Sequence, residues 1–482
     1  MSTRKYTATK DNTITNAFGE IFTNRLTGTN AGLADTVEVF SIFGEQTSSA
    51  AGNQKSRALL EFSTTAIQAD IDNLVIKSGS NYTLRMFNAE TPSGPPTNFI
   101  LAVAAVSRSW TEGTGPNLAN KDYTGVSNWD DASSGVSWTT AGGDFHVSPA
   151  FSASFVTGDE DLEVDITTLV GQWLDGTKTN YGLGIYLIAN EEATTNTFFS
   201  KMFYSRTSEY ISKRPVIEAR YDDSKQDDTA TFYLSSALAP SASNLNTLYL
   251  YNYAGGQLTN LPNVGTAEIL LSVYSGSSVP IGSKLNLPPD SAGGVVTTGD
   301  TNVTGGFVST GIYSASFAYA SSSITNIFPV WHSGSTEYST GSSITILTYS
   351  AGSSRDFTSY TITPTNLKPT YTTSEKATIK LYTRPKDWTP TIYPAGTTTP
   401  SSSLLENIYY QIKRRSDGLK IIPYGTGSGN EGFTRMSYDS QGNYFDLDFS
   451  QFEAGYKYQI SFVIKKDLSY VEQTDTFDFR VD

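Results

Sequence analysis

The chain has 482 residues, no cysteine, and 47 acidic against 33 basic residues, a formal charge of −14. That length fits about three domains of ~150 residues, and the missing cysteine excludes disulfides, thiolate nucleophiles and cysteine-based zinc sites. The charge argues for solubility and against phosphate-backbone binding, no apolar window approaches the ~20 residues of a membrane span, and the polar opening M-S-T-R-K-Y-T-A-T-K predicts no secretory signal.

Tyrosine (29) and phenylalanine (25) accompany abundant Ser, Thr and Val. These side chains fit a pleated, half-buried surface, so the elements read overwhelmingly as strands. In Asn81 to Phe87, Tyr82, Leu84 and Met86 alternate with Thr83, Arg85 and Phe87, which predicts one face turned inward and one outward. From Val106 to Tyr221 lie four of the six tryptophans, in S-R-S-W-T-E-G-T-G (Ser107 to Gly115), S-N-W-D-D (Ser127 to Asp131), V-S-W-T-T-A-G-G-D-F (Val136 to Phe145) and D-I-T-T-L-V-G-Q-W-L-D-G (Asp165 to Gly176). The last of these reads as the one good helix. Asp165 can cap it, Leu169, Val170, Trp173 and Leu174 share a face, and Gly176 can end it.

A charged, apolar-free link follows at Asp222 to Asp228, and a proline-bounded break at Thr363 to Pro369. They divide the chain into 1–222, 223–370 and 371–482. Ser275 to Thr310, rich in Gly, Ser, Thr and Val, reads either as a loose loop or as strands with small side chains. Leu404 to Arg415 fits a helix by spacing, but the Asp417-Gly418 turn followed by Lys420-Ile421-Ile422 favours a hairpin. Tyr456 to Ile464 alternates clearly. Just before it, Phe452 to Tyr458 resembles the corner of an immunoglobulin-like sandwich, where a tyrosine hydroxyl, here that of Tyr458, bonds back to the corner backbone. The expected architecture is all-β: three consecutive β-sandwich or immunoglobulin-like domains, the first a jelly-roll-like sandwich with one short helix. No fixed-period repeat or heptad run is present.

Chemistry is sparse. The histidines, His146 and His332, have no nucleophile motif beside them, and no G-x-S-x-G, H-E-x-x-H or Walker-type loop occurs. Gly425 to Gly429 lacks the lysine of a phosphate cradle and reads as a turn. Glu112 is the best single acid candidate for glycosidic hydrolysis. Asp130, Asp131, Asp144 and Asp159-Glu160-Asp161 offer oxygen ligands for calcium, but without EF-hand spacing they read as solvated acids, and no cofactor is expected. Trp110, Trp129 and Trp138, with Asp130, are the candidates for glycan or partner contact, because exposed indoles stack on sugar rings. Packing in a core or against loops is the favoured reading of these three and more so of Trp173.

Six motifs in order carry a resemblance over about residues 1–222. The Ser56 to Phe62 and Tyr82 to Phe87 strands, Trp110-Thr111-Glu112-Gly113, Trp138 with Gly142-Gly143-Asp144-Phe145, the Asp165 to Gly176 helix, and Asn180-Tyr181-Gly182-Leu183 with Arg214-Pro215 resemble the DNRLRE-type domain. That is a β-sandwich module related to the carbohydrate-binding module of disaggregatase-like enzymes. The whole chain is similar to virion structural proteins of tailed bacteriophages, particularly marine ones. This likeness rests on Lys10 to Ala17, Asp35 to Phe40, Leu381 to Pro390, Ile422 to Gly427 and Gly442 to Asp448. It implies a non-enzymatic virion component at the neck, collar or tail, with other virion proteins and copies of itself as partners, and neither nucleic acid nor membrane. Capsid decoration is the neighbouring alternative. A host-glycan-binding module and, last, a polysaccharide depolymerase are the alternatives of other classes.

Overall fold

Alternation of large apolar with small polar residues puts one side of a strand into a core and leaves the other for water or a neighbour. In the computed structural model this pattern produces an all-β chain of three successive units. The structure describes residues 3–19, 24–45, 51–77, 79–91, 96–118, 125–194, 198–236, 244–287, 302–348, 359–387, 402–426, 432–466 and 469–482.

The first unit is two facing antiparallel sheets. One runs in the order Thr3–Thr7, Val216–Arg220, Asn81–Met86 and Leu162–Asp165. The other runs Phe199–Tyr204, Thr36–Glu45, Ala51–Glu61, Leu183–Leu187, Phe99–Val106 and Phe145–Phe155, with Lys10–Thr15 laid against Ala51–Glu61. Leu60, Leu84, Leu101, Val103, Ile185 and Ile217 meet between them, completely buried. Each such side chain contributes on the order of 1.5–3 kcal/mol. The first and last strands pair, Lys5 opposite Glu218, which closes the unit.

The expected helix forms over Thr167–Leu174 and buries Leu169, Val170 and Trp173. Asp165 Oδ1 accepts from the Thr167 N–H and hydroxyl at 2.9 and 2.6 Å, one residue ahead of the cap position that Ile166 occupies. It is not the only helix: Thr64–Asp72 and the short Ala189–Glu192 are helical too. Thr64–Asp72 is capped by Ser63 but buries only Ile67, so its sequence lacks the apolar stripe that reveals a helix.

In the middle unit the strands Asn246–Tyr251, Ile312–Phe317, Asn302–Ser309, Ile269–Ser275, Asn326–Ser333 and Thr336–Thr340 follow one another in a single sheet, with Ile344–Thr345 against Asn326–Ser333. Its core gathers Leu271, Val303, Tyr313, Phe317, Ile327 and Trp331. Of the ambiguous stretch from Ser275 to Thr310, Asn302–Ser309 is a strand. Residues 288–301 lie outside the described residues.

The third unit is again two sheets, one of four strands and one built on Tyr456–Lys466. The Asp417-Gly418 hairpin is present, with Ile408–Arg414 paired to Lys420–Ile422. The strand Tyr360–Pro364 pairs with Lys376–Pro385, so a division at residue 370 falls after the first strand of this sandwich. The proline-bounded break is the connection between that strand and the next, Thr370–Tyr371. The Tyr458 hydroxyl donates to the Glu453 carbonyl at 2.7 Å and accepts from the Glu453 N–H at 3.0 Å. Tyr458→Phe is expected to lower stability by about 1 kcal/mol in urea unfolding, the worth of a buried hydrogen bond. An unchanged midpoint would remove the corner from the account.

The units do not sit as beads on a string. Thr83 and Arg85, on the face that alternation turns outward, are buried because the third unit covers that sheet. Lys5 Nζ donates to the Ile421 carbonyl at 2.9 Å, Arg85 reaches the Lys420 carbonyl at 3.4 Å, and Arg220 lies over the Phe433 ring. The link from Asp222 to Asp228 is no free tether either. Arg435 holds Asp222, the Asp227 N–H bonds the Tyr438 carbonyl, and the Tyr438 hydroxyl donates to Asp228. Its acids are placed by bonds that composition alone does not show.

Candidate functional site

The motifs of the first unit converge on the outer face of its larger sheet. Asn12, from Lys10–Thr15, donates to the Ser127 carbonyl and hydroxyl at 2.9 and 2.8 Å and accepts from the Ala31 N–H at 3.2 Å. Asn30 Oδ1 accepts from the Gly115 N–H at 2.9 Å. The Asp11 N–H donates to Glu112, and Arg206 joins the two carboxylates, its N–H to Asp11 and its guanidinium to Glu112. Burial pushes the Asp11 carboxyl up to about 6, against the opposing pull of Arg206. Glu112, the acid candidate, is therefore tied into an ion pair and a backbone hydrogen bond. Gly113 is the contact point: a Cβ there would run into the Asn12 and Asn30 side-chain oxygens. Gly113→Ala is expected to cost about 1–3 kcal/mol through overpacking, read as a lowered melting temperature. Full wild-type stability would show that this junction yields freely.

The three candidate tryptophans sit in this node with Ile14, Leu59, Val106 and Ala132. Trp110, Trp129 and Trp138 are only 2 %, 7 % and 5 % exposed. Trp110 Nε1 donates to the Tyr181 carbonyl at 2.8 Å, and Trp138 Nε1 to the Asn128 carbonyl at 2.9 Å. Trp129 lies under the Arg57 guanidinium, 5.3 Å from its ring centre. None of the three offers an open indole face to a sugar. The Asn128 side chain accepts from the N–H groups of Asp130 and Asp131, which leaves the Asp130 carboxylate exposed at a loop tip. Trp173 is buried on its helix.

Beside the node is an open groove of about 520 Å³, lined by Arg57, Arg108, Thr139, Asp144, Phe145 and Tyr186 among others. Phe145 stacks on Tyr186 at 4.9 Å, over Gly184, where a Cβ would strike the Phe145 ring. Arg57 is fixed by both Glu192 oxygens at 2.9 and 2.8 Å. Burial raises the Asp144 carboxyl, but the Thr139 and Thr140 N–H groups and Arg108 more than offset this and hold it below its ordinary value. The groove thus presents an aromatic pair, a fixed guanidinium and a carboxylate. Sequence pointed at its G-G-D-F segment but not at Arg57 or Tyr186, which the sheet register brings in from distant strands.

Of the acids that offer oxygen ligands for calcium, all but the exposed Asp130 are drawn into other contacts. Glu160 accepts from the N–H groups of Val156, Thr157 and Gly158, and Asp131 accepts from the Ser137 hydroxyl. One pair escaped the sequence reading because its members are far apart in the chain: Ser272 Oγ lies 2.7 Å from His332 Nε2, whose Nδ1 faces the Gly334 carbonyl at 3.0 Å. Both residues are buried in the middle sheet. A nucleophile needs an approach path to substrate, so the arrangement acts as a hydrogen-bonded cross-strand tie. Of Gly425 to Gly429, Gly427 onward lies outside the described residues, as do Trp388 to Pro390; the Gly425 N–H bonds Thr434 Oγ1 at 2.7 Å.

No protein-family model matches the chain, and no curated protein does. Among solved structures, similarity is found to the N-terminal Ig1-2 module of the Drosophila receptor protein tyrosine phosphatase DLAR, at 10% identity over 49% of this chain and 90% of that one, with a TM-score of 0.15. A marsupial T cell receptor matches at 10% identity over 49% of this chain and 68% of its own, TM-score 0.15. The native conformation of E. coli alpha-2-macroglobulin matches at 9% identity over 98% of this chain and 28% of its own, TM-score 0.16. Likeness at these scores carries no argument about activity, and the all-β character rests on the chain's own sheets.

Proposed function

We propose that this chain is a non-enzymatic structural component of a tailed-phage virion, at the neck, collar or tail. The observation that carries the reading is how the motif residues are used. Asn12, Trp110, Glu112, Gly113, Trp129 and Trp138 are buried, ion-paired or hydrogen-bonded within one node, so they hold a scaffold together and leave little to act on a substrate. The seam between the first and third units supports the same reading, because a particle component has to keep its shape under load. A net charge of −14 disfavours contact with packaged DNA and favours an outer position. Its partners on this reading are other virion proteins and further copies of itself, with no cofactor. Electron microscopy of particles labelled with an antibody to the chain tests this. Label at the neck or tail is the expected result, label over the head would move the protein to capsid decoration, and unlabelled particles would end the proposal.

The groove at Arg57, Asp144, Phe145 and Tyr186 favours a second reading, a host-glycan-binding module. Glycan-array binding abolished by Tyr186→Ala would establish it. Release of reducing sugar from host polysaccharide would be needed for a depolymerase.

A further inference from the structure

We propose that two copies of this chain pair through the strand Phe145–Phe155, edge to edge and antiparallel about a twofold axis at Ser152. This strand ends the larger sheet of the first unit, and among the described residues its strand partner is Phe99–Val106 alone. Which of its backbone groups are free follows from one residue. Ile100 sends its N–H to Glu191 at 2.8 Å and accepts from the Ile188 N–H at 3.3 Å, so both its backbone groups point away from Phe145–Phe155. Alternation then turns those of Leu101 and Val103 toward it, onto Ala153 and Phe151. Ala150, Ser152 and Ser154 are left with N–H and C=O facing outward along the sheet edge. Their side chains are small and exposed, while Phe151 and Ala153 pack against the core.

An open edge of this kind is normally guarded by charge. Of the other edges of this unit, Thr3–Thr7 carries Arg4 and Leu162–Asp165 carries the exposed Glu163 and Asp165, while the lysine of Phe199–Tyr204, Lys201, is buried. Phe145–Phe155 is eleven residues long and has no Asp, Glu, Lys or Arg, and its one proline, Pro149, lies outside the Ala150 to Ser154 stretch that pairs. Val147 near its start and Val156 just past its end are 93 % and 63 % exposed. Charge also selects the occupant. Two chains at −14 repel each other, and an uncharged strip is where close approach adds least to that repulsion. The strip is self-complementary as well. Antiparallel pairing about Ser152 sets Ala150 against Ser154 of the second copy and Ser152 against its own equivalent, with on the order of six new backbone hydrogen bonds. Side chains this small let the two backbones reach the ~4.8 Å spacing of a continuous sheet.

The experiment uses the full chain and does not depend on where the protein works, so the virion proposal and this one can fail separately. Because the chain has no cysteine, Ser152→Cys introduces a single thiol. At the twofold axis the two thiols face each other at a separation that a disulfide spans. Sedimentation of the wild type is expected to show a dimer, Ser152→Lys a monomer with an unchanged circular dichroism spectrum, and Ser152→Cys a disulfide-linked dimer on mild oxidation. The exposed Thr336→Cys serves as a control that stays uncrosslinked. A wild type that sediments as a monomer at every concentration, a dimer that survives Ser152→Lys, or crosslinking no faster than the control would overturn the pairing.

Discussion

Glu218→Gln is expected to destabilise the protein by about 3–5 kcal/mol, the cost of breaking a buried ion pair from one side. Glu218 is buried at the centre of the seam, with Arg85 at 2.7 Å, Arg220 at 2.8 Å and Lys5 at 3.7 Å. Glutamine keeps the size and removes the only buried negative charge among three cations. Glu163 also meets Arg220, but its half-exposed carboxylate is a weaker counterion. Burial alone would raise the Glu218 carboxyl, yet Arg85, Lys5 and Arg220 take it down to about 2 from an ordinary 4.5. Burial lowers the Lys5 ammonium to about 8, with Glu218 holding back part of the fall. A carboxylate whose folded value is depressed stabilises fully above its unfolded value and loses that contribution as pH falls through the folded one. The wild type is therefore expected to lose stability between about pH 4.5 and 2 through this group, and Glu218→Gln to lack that part of the acid response. Urea unfolding at a series of pH values measures both. Equal stability of the two proteins at pH 7 would mean that solvent reaches the seam.

Trp138→Ala is expected to cost about 3–5 kcal/mol, as large-to-small changes of a buried aromatic do. It empties the centre of the tryptophan node and leaves the Asn128 carbonyl without its indole partner. Asp130→Asn, a change at an exposed loop tip, is expected to fall within about 0.5 kcal/mol of wild type. Thermal unfolding separates the two. The contrast bears on function, because a sugar platform would behave in the opposite way: Trp138→Ala would lose ligand while keeping its melting temperature.

Much of this was legible from order and spacing. Tyr456 to Ile464 and Asn81 to Met86 are strands because their large residues recur every second position. Tyr458 is a corner because of the residues before it. Trp110, Trp129, Trp138 and Trp173 read as core, and each of these four is buried. What stayed hidden depends on contacts between distant segments. Arg85 looked like an outward residue on a half-buried strand, and only the docking of the third unit encloses it. The acids from Asp222 to Asp228 looked like a solvated tether, yet Arg435, Tyr438 and the Thr247 N–H claim them. Thr64–Asp72 buries a single apolar side chain, so no period marks it. Arg57 and Tyr186 meet at the groove through sheet register, which a linear reading does not contain.

The seam has a mechanical consequence. Near the start of the chain Thr3 is bonded to Gln451, and near its end the Arg480 N–H is bonded to the Pro369 carbonyl, both of them partners in the third unit. A movement that separates the first unit from the third therefore has to break the Thr3–Gln451 and Lys5–Ile421 bonds and the contacts of Arg85 and Arg220 together.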